Sequence, residues 1–146
     1  EYWYEFRTPQ SVTGNVELMF FVNGNNFQQN GQTQSPAIYL DSVSVQTLTP
    51  GNRNVVTGGA FTGVPIGATS PGWINYNEPN WNASYKVYDR TDVGLNGPAL
   101  NYYASPQQYV SSLIHAVTIE PGTDYQLRFR AAIEALTATT PQIIVQ

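Results

Sequence analysis

The stretch DYQLRFRAAIE, residues 124–134, carries the clearest structural signal in this chain. Its apolar residues recur at every second position, and most residues between them are polar or charged. One face consists of Tyr125, Leu127, Phe129, Ala131 and Ile133. A period of two is typical of a β-strand with one face on a core and the other toward water. The stretch therefore predicts an antiparallel sheet that covers an apolar core.

Similar patterns recur along the chain, and sustained helical patterns are absent. Residues 15–23 are apolar at every second position and end in the turn sequence Asn23-Gly24-Asn25-Asn26. Pro-Gly and Gly-Pro pairs break the chain between further candidate strands, which are residues 2–7, 37–45, 54–56, 85–88, 99–103, 109–119 and 142–145. Short strands at this spacing predict an all-β fold, a jelly-roll β-sandwich of about 8–10 antiparallel strands. Residues 1–146 are expected to form one such domain.

Composition excludes several classes of function. The chain has 6 Lys and Arg against 10 Asp and Glu, a net charge of -4 and no cysteine. So few basic residues cannot build a phosphate-binding face, so nucleic acid is not an expected partner. Without cysteine there is no disulfide framework, zinc knuckle or thiol catalysis. No apolar stretch is long enough for a transmembrane helix, so membrane insertion is not expected either.

An enzymatic function is not predicted. His115 lies in an apolar strand, which favours a structural or half-exposed role over catalysis. No serine stands in a Gly-x-Ser-x-Gly elbow, so a nucleophilic triad has no anchor. The acidic residues are mostly isolated and form no recognisable carboxylate pair for glycoside hydrolysis.

The richest candidate binding stretch is residues 73–82, where aromatic rings alternate with amides. Flat rings suit the C–H faces of sugars, and planar amides or carboxylates suit their hydroxyls. Proline and asparagine here predict a loop rather than a sheet. The candidate ligand-binding residues are Trp73, Asn75, Tyr76, Asn77, Glu78, Asn80 and Trp81. Trp73 has an alternative role in the core, which leaves Trp81 as the better platform.

Two further aromatic groups are candidates for exposed rings. Tyr102 and Tyr103 are adjacent on a predicted strand, so only one of them can point into the core, and both are kept as candidate binding residues. Near the start of the chain, Tyr2, Tyr4 and Phe6 share one face of a strand. If that face belongs to the core, Trp3 is exposed or covered by a partner.

Three motifs resemble the carbohydrate-binding modules of families 4, 9 and 22. Ala37-Ile-Tyr-Leu-Asp-Ser-Val-Ser-Val45 resembles their closing strand. Asn54-Val-Val-Thr-Gly-Gly-Ala-Phe61, followed by Gly72-Trp73, resembles their opening. Residues 117–131, with Pro121-Gly122-Thr123, are similar to a middle strand. The order is inverted, since residues 1–47 resemble the end of a module and residues 51–146 its beginning. A circular permutant, a strand-swapped subunit and a cut from a tandem array all remain open explanations.

The resemblance implies a galactose-binding-like jelly roll that recognises a polysaccharide through aromatic stacking and performs no catalysis. It also implies a structural calcium ion at Asp41, although Thr62 stands where the family often has a glutamate ligand. We expect an extracellular or cell-surface protein. The alternative is a structural subunit of an extracellular filament, sheath or virion surface, whose partner is another copy of itself joined by strand exchange.

Overall fold

The computed structural model describes residues 1–12, 14–23, 28–29, 32–33, 37–48, 50–76, 84–95, 97–103, 110–133 and 143–145. Most of the described residues lie in strands, and no α-helix occurs among them. The strands are β1 (Tyr2–Arg7), β2 (Asn15–Asn23), β3 (Gln28–Gln29), β4 (Gln32–Thr33), β5 (Ala37–Thr47), β6 (Trp73–Tyr76), β7 (Ser84–Asp89), β8 (Pro98–Tyr103), β9 (Val110–Thr118), β10 (Asp124–Ile133) and β11 (Ile143–Val145). A single 3-10 turn spans Thr91–Val93.

Two antiparallel sheets form a sandwich, which confirms the prediction of an all-β sandwich. The five-stranded sheet has the order β1-β10-β5-β8-β7, and the four-stranded sheet has the order β11-β2-β9-β6. Between β2 and β5, the short strands β3 and β4 pair with each other in a separate two-stranded sheet. Strands from residues 1–47 enter both sheets. The outermost strands of the chain, β1 and β11, pair with β10 and β2 of the same chain.

Strand β10 shows the alternation that the sequence predicts. Tyr125, Leu127 and Phe129 are buried, whereas Arg128 between them is exposed. One irregularity interrupts its pairing with β5, because Arg128 pairs with Ser44 but Arg130 pairs with Asp41. The extra residue on β5 forms a β-bulge, and Ser42 adopts a left-handed φ of 54° there. The bulge keeps apolar side chains inward on both sides of the irregularity.

The core lies between the two sheets and consists of aliphatic and aromatic side chains from both. Its largest fully buried members are Trp73, Tyr125, Phe20, Phe61, Ile38, Leu40, Leu100 and Leu113. Burying a side chain of this kind contributes about 1.5–3 kcal/mol to folding. The core therefore supplies the main stabilisation of the sandwich.

A segment without regular strands, residues 53–72, covers one end of the core. It is anchored to β5 by the Val43 N–H, which donates to the Gly59 carbonyl oxygen at 2.9 Å. The Asn54 side chain accepts hydrogen bonds from the backbone N–H groups of Val45 and Val56, each at 3.1 Å. The strand predicted for residues 54–56 is wrong apart from one isolated bridge between Gln46 and Asn54. The Asn54 side chain accepts the hydrogen bond of the Val45 N–H on β5, so this N–H is not available to a longer strand ladder.

The loop predicted from residue 73 onward is also wrong for its first four residues. Residues 73–76 form β6, which pairs with β9 from Trp73 opposite His115 to Tyr76 opposite Ser112. Burial of the Trp73 ring and backbone pairing with β9 together outweigh the preference of asparagine for loops. No helix in the described part of the chain is long and apolar enough to cross a membrane.

Candidate functional site

Strand β1 lies at the edge of the five-stranded sheet and turns three aromatic rings toward the opposite sheet. Tyr2, Tyr4 and Phe6 pair with Phe129, Leu127 and Tyr125 of β10, all of which are buried. Because directly paired residues in an antiparallel sheet share a face, the three rings belong to the inner face of the sandwich. Yet Tyr2 remains 54% exposed and Tyr4 66% exposed. No described segment fully covers these rings, so this part of the sandwich is open along β1.

This opening is a groove with a cavity of about 670 Å³. We call it the β1 groove. Rings of β1 form one wall, and apolar side chains of β2 and β9 form the other. Its lining residues are Tyr2, Trp3, Tyr4, Phe6, Arg7, Thr8, Pro9, Val16, Glu17, Leu18, Val45, Val117, Ile119, Leu127 and Phe129. The volume lies within the range of about 300–1,000 Å³ that is usual for small-ligand sites.

The rings in the β1 groove are held by stacking on one another and on the core. The Tyr2 ring stacks on Phe129 with centroids 5.2 Å apart, and Phe6 stacks on Tyr125 at 5.7 Å. Tyr4 stacks on Phe6 at 6.5 Å with an angle of 12° between the planes. Aromatic pairs of this kind are worth about 0.5–1.5 kcal/mol beyond their buried area. A ligand therefore meets rings that are already oriented.

A hydrogen-bonded turn closes one end of the groove. Thr8 is buried, and its hydroxyl donates to the Glu120 carbonyl oxygen at 2.6 Å. The same hydroxyl accepts from the Thr123 N–H at 2.9 Å. The Tyr125 hydroxyl accepts from the Glu120 N–H at 2.8 Å. These bonds fix the end of β1 against the turn that precedes β10, so this end of the groove is rigid.

The outer face of β1 carries a different surface. Trp3 points away from the inner rings and is 66% exposed, in agreement with the alternation along the strand. Beside it, the Gln126 amide donates to the Glu5 carboxylate at 2.8 Å, and the Arg128 guanidinium donates to the Gln126 amide oxygen. Strand β1 therefore presents aromatic rings on both of its faces.

The binding residues predicted from the sequence are distributed over separate parts of the fold. Trp73 is 2% exposed and packs against Phe20, Phe61 and His115 with centroid distances of 6.1, 5.6 and 4.8 Å. Its ring thus takes the core role and faces no groove. Its indole Nε1 has no hydrogen-bond partner among the described residues.

The other predicted residues lie on strand backbones or outside the described part. Asn75 and Tyr76 belong to β6, an edge of the four-stranded sheet, whereas Tyr102 and Tyr103 belong to β8 of the five-stranded sheet. The two pairs are therefore placed in different sheets. Asn77, Glu78, Asn80 and Trp81 lie outside the described residues.

His115 is a buried structural residue, as its apolar strand predicts. Its Nδ1–H donates to the Gly72 carbonyl oxygen at 2.8 Å, and its Nε2 accepts from the Thr57 N–H at 3.4 Å. Burial lowers the pKa of the imidazole below its ordinary value of 6.5, while the bond to Gly72 opposes that shift. The ring is therefore held neutral with both nitrogens in use.

Asp41 occupies a buried position beside the β-bulge and is 3% exposed. The Ser42 hydroxyl donates to its Oδ1 at 3.0 Å. Among the described residues, no three or more His, Cys, Asp or Glu side chains lie together so that they could hold a metal ion. Calcium takes six to eight oxygen ligands, so one carboxylate fits a calcium ion only with ligands that are mainly backbone carbonyls and water.

Sequence reasoning missed the β1 groove because the aromatic alternation in β1 also fits a core strand. The edge position of β1 comes from the order of strands in the sheet, which local alternation does not indicate. Comparison of the chain with protein-family models, curated proteins and solved structures finds no match. The function is therefore argued from the groove itself.

Proposed function

We propose that this protein is a non-catalytic binding module that takes a segment of a polysaccharide into the β1 groove. The observation that carries the proposal is that Tyr2 and Tyr4 are each more than half exposed beside an apolar wall. Each of the two rings stacks on a phenylalanine ring. Sugar rings present C–H faces that pack on aromatic rings, while their hydroxyls stay available to water or polar neighbours. The proposal agrees with the resemblance to carbohydrate-binding modules without depending on it.

The groove favours an uncharged ligand. Among the described residues that line the groove, two are charged, and one of them, Arg7, already forms an ion pair with Asp124 at 2.9 Å. Glu17 is the other, on the β2 side. A strongly anionic ligand would lose hydration in an apolar groove without gaining an unpaired counter-charge. A cationic ligand would meet only Glu17, which is exposed and alternates along β2 with the buried Leu18. A neutral glycan loses little, because its hydroxyls remain at the open side.

Preorganisation is the second support for the proposal. The stacking of Tyr2 on Phe129 and of Phe6 on Tyr125 restrains these side chains before a ligand arrives. Ordering a free side chain on binding costs about 0.5–1.5 kcal/mol, and a restrained ring avoids most of that cost. Binding at the groove would therefore retain more of the contact energy than binding at rings that no neighbour restrains.

The loop residues predicted from the sequence form a second part of the proposal. Trp81, with the amides of Asn77 and Asn80 and with Tyr76, is a separate candidate platform. Tyr102 and Tyr103, which belong to the other sheet, are kept as a further candidate. A calcium ion at Asp41 would stabilise the bulge in β5 rather than touch a glycan in the β1 groove. The proposed setting is the cell exterior, where polysaccharides are accessible.

Affinity gels containing xylan, β-glucan or cellulose test the proposal. We expect one of these glycans to retard the wild-type protein and Tyr4→Ala to weaken binding about tenfold or more, which is about 1.4 kcal/mol. Tyr88→Ala is the matched control, because Tyr88 is a partly exposed tyrosine on β7, away from the groove. Trp81→Ala distinguishes the loop platform from the groove.

Two outcomes would overturn the groove as the binding site. One is that no glycan in the panel retards the wild type. The other is that Tyr4→Ala binds as well as the wild type while Trp81→Ala does not, which would move binding to the loop. Thermal unfolding of each variant shows whether a loss of binding reflects a loss of folding.

A further inference from the structure

Strand β1 has a free edge with unusual surface chemistry. In the part of the chain that the structure describes, β1 pairs with β10 on one side and with no strand on the other. Three consecutive aromatic residues on it, Tyr2, Trp3 and Tyr4, are each more than half exposed. The strand also lacks lysine and proline, which commonly protect free edges against pairing.

From this edge we infer that two copies of the chain associate by antiparallel pairing of β1 with β1, around a two-fold axis at Tyr4. A symmetric dimer needs a self-complementary surface, and an edge strand satisfies this when its own sequence pairs well with its reverse. The partner is therefore a second copy of this chain. The exposed backbone N–H and C=O groups of both edges would be satisfied by one another.

The alternation of side chains restricts the possible registers. A shift of one residue from the register centred on Tyr4 would place Tyr2, on the inner face, opposite Glu5 of the partner subunit, on the outer face. The inner face of the partner subunit would then lie on the opposite side of the joined sheet. The two grooves would then open on opposite sides of the joined sheet. Only registers centred on a residue of β1 keep the inner faces together, and of these the registers centred on Trp3, Tyr4 or Glu5 pair at least five of residues 1–7.

Charge selects among these three registers. Centring on Trp3 places Glu1 opposite the partner's Glu5, and centring on Glu5 places that carboxylate opposite its own copy. Like charges directly opposite each other destabilise a pair of strands. Centring on Tyr4 instead places Glu1 opposite the partner's Arg7. It also places Trp3 opposite the partner's Glu5, so no like charges face each other.

The inner face of the same register pairs aromatic rings. Tyr2 lies opposite the partner's Phe6, and Tyr4 lies opposite the partner's Tyr4. Cross-strand aromatic pairs stabilise two paired strands in addition to the backbone hydrogen bonds. The pairing joins two five-stranded sheets into one continuous sheet and brings the two β1 grooves side by side.

Such an arrangement would give the dimer two adjacent binding grooves. If the proposed glycan binding is correct, one polysaccharide could occupy both grooves and bind with avidity. The dimer itself does not depend on that function. Its test therefore uses no glycan, and its result is independent of the affinity gels.

Cysteine scanning tests the register directly, because the natural chain contains no cysteine. Tyr4→Cys would place two thiols directly opposite each other, with Cα atoms about 4.5–5.5 Å apart, within disulfide range. Trp3→Cys and Glu5→Cys are matched controls on the same exposed strand. In the proposed register their thiols are offset by two residues along the strand, beyond disulfide range.

We expect Tyr4→Cys to form a covalent dimer under mild oxidation, seen on a non-reducing gel, and the two controls to remain largely uncrosslinked. Sedimentation of the wild type should show a monomer–dimer equilibrium as the concentration rises. Crosslinking of Trp3→Cys or Glu5→Cys in preference to Tyr4→Cys would overturn the register. A wild type that sediments as a monomer at millimolar concentration, with no crosslinking of any variant, would overturn the dimer.

Discussion

Two aromatic clusters of this sandwich differ in their exposure to solvent. One, the closed end, consists of Phe61, Trp73 and His115 and is fully buried. The other, the β1 groove, contains Tyr2 and Tyr4, which are more than half exposed. Both clusters have stacked or tilted rings at centroid distances between 4.8 and 6.5 Å. The residue types and ring packing are similar, so neither explains the difference in exposure.

The difference comes from what covers each cluster. Residues 53–72 fold back over the closed end, held by the bond between Val43 and Gly59 and by the Asn54 side chain. No described segment covers the β1 groove in the same way. An aromatic cluster thus becomes core or exposed surface according to whether another part of the chain covers it.

The largest expected effect on stability comes from replacing Trp73 with alanine, and Trp3→Ala is the comparison. Trp73→Ala removes a fully buried ring from the closed end and should cost about 3–5 kcal/mol of the free energy of unfolding. Trp3→Ala removes an exposed ring and should change it by less than about 0.5 kcal/mol. Urea titration of both variants measures the contrast. Equal losses would mean that the two ends are not covered differently.

Gly59 tests the covering segment itself. A Cβ at this position would lie 1.9 Å from the Val43 carbonyl oxygen, which belongs to the β5 backbone and cannot move aside cheaply. Gly59→Ala should therefore destabilise the fold by about 3 kcal/mol. Gly63→Ala is the matched control, since its Cβ meets open space and only the positive φ of 80° costs energy, about 1 kcal/mol.

A loss at Gly63→Ala equal to that at Gly59→Ala would show that close docking on β5 is unimportant. Both variants also report on the groove. Because the covering segment lies at the closed end, neither should change the affinity for a glycan as long as the protein remains folded.

The smallest effect is a pH dependence at the closed end. The folded state lowers the pKa of His115, so the unfolded chain binds the proton more tightly. Stability is therefore full above the ordinary pKa of 6.5 and falls as pH decreases through it. Thermal unfolding between about pH 7.5 and pH 5.5 should show this decline, because His115 is the only histidine in the chain.

The control for this decline is His115→Gln, whose melting temperature should vary less over the same range although its absolute value is lower. A wild type and a variant with parallel pH curves would contradict the proposed burial of a neutral imidazole. Carboxylates titrate mainly below this range and affect both proteins alike.

Strand positions could be predicted well because their signal is local. Alternation in residues 124–134 and 15–23 depends only on neighbours two positions apart, and both stretches form long paired strands. The candidate site could be predicted less well. Trp73 was a candidate for binding or core from its sequence neighbours, and only packing against Phe20 and Phe61 decides for the core.

The sequence by itself predicts most of the strands, the apolar alternation that makes a sandwich favourable, and a scarcity of charge for which nucleic acid is not an expected partner. The tertiary structure alone decided the order of strands in each sheet and which aromatic faces are covered. The physical reason is the separation along the sequence of the residues that interact. Alternation acts between neighbours along the chain, whereas covering Trp73 and exposing Tyr4 depend on contacts between residues far apart in sequence.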